Sequence, residues 1–210
     1  MTDDQTAALA EATTYFRNDA LADALTLVDV LLAETPTWSE AMLLRGKILF
    51  ESNRKIEAAH TLRQVVTLDP QNAEAFYALG LTFRHLRRLD DAEGCLKAAL
   101  RRQPDDDDAR FVLANVLFDK QDLAGAVAEY TALAGRRPLD ADLQYNLARA
   151  ADDAGPLAVA AEAYDTYLRL TSGTDDATRQ FATERLAQIR SGTVQPLDWA
   201  DPHDADGAGA

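Results

Sequence analysis

The 210-residue chain has one cysteine, Cys95, and three histidines, His60, His85 and His203. A lone thiol forms no internal disulfide, and a four-cysteine metal site is excluded with it. Basic residues are scarce beside acidic ones, 21 against 35, for a net charge of −14. Nucleic acid and anionic membrane surfaces both require a positive field, so neither is expected as a partner. No apolar run approaches the ~18 residues that span a bilayer, so no membrane insertion is expected. The opening Met1-Thr2-Asp3-Asp4-Gln5 is acidic where a signal peptide is basic. A cytoplasmic location is the expectation.

Recognisable catalytic signatures are lacking as well. No glycine-rich phosphate loop or nucleophile elbow occurs. The run Asp105 to Asp108 lacks the alternating spacing and closing glutamate of a calcium loop. None of the histidines pairs by spacing with another; His60, beside core positions, reads as a packed or half-exposed structural residue, and Cys95, beside Leu96, as a small buried hydrophobe. The chain is therefore expected not to be an enzyme and to hold no cofactor or metal.

What the sequence does have is a period. Prolines stand at Pro36, Pro70, Pro104 and Pro138, each 34 residues from the last. With Gln5, Ser39, Ala73, Asp107 and Ala141 as phase 1, phase 20 is alanine in every copy: Ala24, Ala58, Ala92, Ala126 and Ala160. Phase 8 is small throughout, at Ala12, Gly46, Gly80, Ala114 and Ala148, while phase 24 is large at Val28, Leu62, Leu96, Tyr130 and Tyr164. Within a copy the apolar spacing is helical: Phe76, Leu79, Gly80 and Phe83, then after a break at Arg87-Arg88, Leu89, Ala92, Leu96, Ala99 and Leu100. Each copy reads as two amphipathic helices, with small residues permitting close approach and larger ones filling the space beyond. Proline at phase 32 ends the second helix, and Asp105 to Asp108 read as turn and N-cap residues.

Phe76-x-x-Leu79-Gly80-x-x-Phe83, Ala92-x-x-x-Leu96-x-x-Ala99 and Pro104 together resemble the tetratricopeptide repeat. The likeness covers residues 5–174 and weakens at the ends: Ala8 and Glu11 replace the usual Trp and Leu, Arg45 stands at the Leu phase of the second copy, and Ser172 replaces proline in the fifth. Together with the period it implies an all-α, right-handed superhelical solenoid of five 34-residue helix-turn-helix repeats, at 5–38, 39–72, 73–106, 107–140 and 141–174, after an N-terminal tail at 1–4. Residues 175–190, with Phe181, Leu186 and Ile189 on an apolar side, read as a C-terminal capping helix, and 191–210 as a disordered acidic tail. In that tail Leu197-Asp198-Trp199 is either a loosely packed end or a short binding motif.

By the same resemblance, the first helices line a concave face. Its exposed phases hold Leu43, Lys47, Phe50, Tyr77, Leu81, Arg84, Phe111, Asn115, Phe118, Tyr145, Asn146 and Arg149, with Phe16 in the first copy. Aromatic and aliphatic residues there suit peptide anchoring, and the two asparagines offer paired donor and acceptor groups; about half of the rings are expected to pack against neighbouring copies instead. The family's carboxylate clamp is not reproduced, because Phe111 occupies its lysine phase and Asp176 and Gln180 its basic phases. A basic edge, Arg54-Lys55 and Arg87-Arg88, recurs in adjacent turns. The expectation is a non-catalytic adaptor, a monomer or weak oligomer, that binds a protein segment with apolar anchors and some acids. The alternative is a homo-oligomeric scaffold that uses groove, cap or tail.

Overall fold

The computed structural model describes residues 2–173 and 176–194. Every element among them is an α-helix: α1 (Asp3–Arg17), α2 (Leu21–Glu34), α3 (Ser39–Glu51), α4 (Lys55–Leu68), α5 (Ala73–His85), α6 (Leu89–Arg102), α7 (Asp107–Asp119), α8 (Leu123–Arg136), α9 (Ala141–Ala154), α10 (Leu157–Leu170) and α11 (Ala177–Ser191). From α3 onward the first helices start at Ser39, Ala73, Asp107 and Ala141, and the second helices at Lys55, Leu89, Leu123 and Leu157, so both series keep the sequence period.

The chain divides into two units, residues 1–116 and 117–210. In the first, α1 pairs with α2, α3 with α4 and α5 with α6; α2 packs on α3 and α4 on α5, and α3 also touches both α1 and α5. The second unit has the same plan, with α8 on α9, α9 on α10 and α10 on α11.

The small positions do what the sequence suggests. A Cβ on Gly46 would lie 2.6 Å from Leu62 Cγ, and one on Gly80 2.7 Å from Leu96 Cγ. Phase 8 is thus the space into which the phase 24 side chain of the paired helix fits. Ala24, Ala58, Ala92, Ala126 and Ala160 are all fully buried. N-caps open the later first helices: the Asn72 side chain accepts from the Ala75 amide at 2.9 Å, Asp106 from Ala109 at 2.9 Å and Asp140 from Leu143 at 3.0 Å. The reading of Asp106 as a cap residue holds.

The turn inside each helix pair was not anticipated. Asp19, Asn53, Arg87 and Gln121 have φ between 57° and 64°, and Gly155, at the same phase, has φ 99°. Beside the four non-glycine residues, the amides of Ala20, Arg54, Arg88 and Asp122 donate at 2.9 Å to the carbonyls of Tyr15, Leu49, Phe83 and Leu117. This is a Schellman closure, whose left-handed residue lets the chain reverse within two positions. A side chain with a Cβ is strained there, so Arg87→Gly is expected to gain up to about 1 kcal/mol, less the backbone entropy glycine brings to the unfolded chain; a raised denaturation midpoint checks it.

Two boundaries shift. Residues 3 and 4, read as tail, belong to α1, because Thr2 and Gln5 form a reciprocal capping box that starts the helix at Asp3. Ser191, also read as tail, is helical, and α11 stops at Gly192 with φ 72°. The expectations for Leu197, Trp199 and the rest of the tail from Gln195 onward lie outside the described residues.

Candidate functional site

Each face is described within its own unit. In the first, α1, α3 and α5 present Phe16, Lys47, Phe50, Tyr77 and Leu81 around one cleft of about 240 Å³. These come from three copies, at the phases expected to line the concave side. Phe50 meets His85 edge to face, with ring centroids 5.0 Å apart. Burial, with Asp108 and Asp106 next, pushes the Tyr77 hydroxyl above its ordinary pKa. It remains a neutral phenol that can donate or accept. Burial, followed by Lys55 and Arg84, lowers the pKa of His85.

Two details differ from the sequence reading. Lys47 is ion-paired with Glu74, which lines the same cleft, so its ammonium already has a carboxylate before any partner's acid arrives. Leu43 is only 7% exposed, because it turns into the packing between helices. Arg84, Phe111 and Asn115 are half-buried on α5 and α7.

The second unit holds Phe118, Tyr145, Asn146 and Arg149. The Arg149 guanidinium lies 5.2 Å from the Phe118 ring centre and 5.8 Å from that of Tyr145, a stacked arrangement that holds the cation over aromatic faces. Tyr145 is 8% exposed. Its ring sits 5.1 Å from Tyr167 and 6.4 Å from Tyr164, and Tyr164 lies 6.4 Å from Phe181 of α11. Tyr145 therefore belongs largely to an aromatic core, which matches the expectation that part of the ring set packs internally. Asn146 is half-buried.

The residue sequence reasoning missed in this unit is Arg185. It is buried on α11 and grips buried Asp152 of α9 with two bonds, Nε to Oδ2 at 2.6 Å and Nη2 to Oδ1 at 2.9 Å, while Nη1 donates to Gln188 Oε1 at 2.9 Å. The Tyr164 hydroxyl donates to Asp152 Oδ2 at 3.4 Å. Asp152 sits at phase 12, a position already assigned to the concave side, and that was the available signal.

The basic edge is largely committed. Arg54 binds Glu57 through two 2.7 Å bonds, and Arg88 binds Asp91 and stacks 4.6 Å over Phe83. Cys95 is half-buried rather than fully buried, and burial pushes its thiol up to about 11, which leaves little nucleophilic thiolate at neutral pH. His60 is exposed, since its phase faces outward on α4. Among the described residues no helix is long and apolar enough to cross a membrane.

A family model described as tetratricopeptide repeat matches residues 43–107, 77–133 and 111–175. No curated protein matches the sequence. Solved structures of the same fold include YrrB, described as a TPR protein with an unusual peptide-binding site, with a TM-score of 0.73 and 21% identity over 84% of this chain and 90% of that one. PilW, described as a widely conserved type IV pilus biogenesis factor, gives 0.77 and 19% over 93% and 89%. PilF of Pseudomonas aeruginosa gives 0.77 and 16% over 89% and 84%.

Proposed function

Because the chain belongs to the tetratricopeptide repeat family, a family of protein-interaction modules, we propose that it is a non-catalytic cytoplasmic adaptor that holds a segment of another protein against its first helices. The observation that carries this reading is the cleft in the first unit, where Phe16, Lys47, Phe50, Tyr77 and Leu81 converge from three helices. Concave apolar clefts with a few polar groups are the usual form of a recognition site.

In this reading residues 5–174 are five copies, the anchors are Phe50, Tyr77 and Leu81 of the first unit, with Phe111 and Asn115 as further contacts there, and Phe118, Asn146 and Arg149 are contacts offered by the second unit. Leu43 and Tyr145 act from beneath, by holding the face in shape. The partner carries Leu or aromatic anchors, with a few acids that meet Arg84 or compete with Glu74 for Lys47. Its backbone is met by Asn115 and Asn146.

The test is capture of partners from a native lysate, followed by titration of the captured protein. Tyr77→Ala, in a chain shown to be folded, is expected to cost roughly 2 kcal/mol of binding, the loss typical of a central aromatic anchor. Tyr145→Ala and Phe181→Ala should instead lower the denaturation midpoint. Full affinity for Tyr77→Ala and Phe50→Ala, with loss on changes to the second helices, would place the binding face elsewhere.

A further inference from the structure

A second cleft in the first unit lies away from the first-helix face, between the α2–α3 turn and α4. It measures about 470 Å³ and is lined by apolar Pro36, Met42 and Leu68 and by His60, Arg63 and Gln64. Leu68 is 48% exposed, a large apolar side chain with nothing over half of it. Arg63 stacks 5.1 Å from the Phe83 ring centre and has no carboxylate partner among the described residues. The concave cleft includes Glu51 and Glu74, and the cleft of about 580 Å³ in the second unit includes Glu162. The α4 cleft has no acid in its lining at all, on a chain whose net charge is −14.

An apolar floor beside an imidazole and a guanidinium selects an acidic segment with a large apolar anchor. This sequence contains one. Residues 195–206 carry Leu197 and Trp199 among Asp198, Asp201, Asp204 and Asp206, with no lysine or arginine. The chain's other tryptophan, Trp38, is committed to the core at 5% exposure. We propose that the α4 cleft receives the 195–206 segment of a second copy, with Trp199 over Leu68 and Met42 and the aspartates toward Arg63 and His60. Such a contact joins two different surfaces. It is heterologous, and each joined pair still offers one free cleft and one free segment, so chains of copies grow with concentration unless the rotation closes a ring.

Light scattering and sedimentation of the full chain across the micromolar range test this. The native protein is expected to rise beyond the mass of two copies. Arg63→Glu and Trp199→Ala should each stay at the mass of one, with association weakened at least about tenfold. An equimolar mixture of the two variants should form a dimer and stop there, because Arg63→Glu supplies an intact segment and Trp199→Ala an intact cleft. If Arg63→Glu lowers the denaturation midpoint by loss of its stacking on Phe83, His60→Glu, exposed on the same wall, takes its place. A native protein with the mass of one copy at every concentration overturns the proposal. So does association that survives Trp199→Ala, or a mixture that fails to dimerise.

Discussion

Arg185→Ala should destabilise the second unit by about 3–5 kcal/mol, the range for removing one partner of a buried ion pair. The side chains of Arg185 and Asp152 are 5% and 0% exposed, so water cannot replace the lost guanidinium. Among the described residues, Asp152 would keep only the Tyr164 hydroxyl, at 3.4 Å. The loss is read as a lower urea midpoint and as faster amide exchange through α11. Replacing both partners with apolar residues of similar size, Asp152→Leu with Arg185→Met, should recover much of it, since the large cost is the stranded charge rather than the absent pair. An unchanged midpoint for Arg185→Ala would mean that the pair with Asp152 contributes nothing to holding α11 on the unit.

Ala92→Leu should cost about 3 kcal/mol, at the upper end of the range for overpacking. Ala92 is fully buried, and its carbonyl oxygen lies 3.3 Å from where a Cβ on Gly80 would stand, so the two helices leave no room for three further heavy atoms. A milder pair separates space from propensity. Alanine is favoured over glycine inside a helix by about 1 kcal/mol. At Gly94 a Cβ meets nothing within 4 Å, and Gly94→Ala should gain most of that amount. At Gly80 the same change drives a methyl against Leu96, and the midpoint should fall. Equal effects at the two positions would show that the close approach of α5 and α6 relaxes without cost.

Much of this fold is legible in the sequence because it is written several times. Pro36, Pro70, Pro104 and Pro138 mark helix ends two residues past Glu34, Leu68, Arg102 and Arg136, and a signal repeated at fixed spacing survives the noise of any one copy. The first-helix residues of the first unit follow the same logic, since phase alone brings Phe16, Phe50 and Tyr77 to one cleft. What escaped detection is what happens once or depends on a partner's position. The pairing of Asp152 with Arg185 spans a boundary between the last repeat and a helix outside the period, so no other copy repeats it. The pairing of Lys47 with Glu74 is hidden in the sequence because Glu74 lies in the next copy, and helical spacing within one copy does not show pairs between copies. Tyr145 differs from Tyr77 in exposure because Tyr164 and Tyr167 pack beside it, a difference set by neighbours rather than by phase.

The left-handed turn residues at 19, 53, 87, 121 and 155 bear on how such a chain can change length. The turns at Asp19, Asn53, Arg87 and Gln121 close two helices by the same backbone geometry with four different side chains, and Gly155 keeps the left-handed residue at that position ahead of Pro156, so the joint is set by position more than by identity. A gene that gains or loses 34 codons between any two of these turns keeps every later joint at its proper place. Recombination between copies need not occur at one favoured breakpoint to yield a chain that folds. The same tolerance frees the side chains at these corners to diverge, which is how one array comes to carry a carboxylate at one turn and a guanidinium at another.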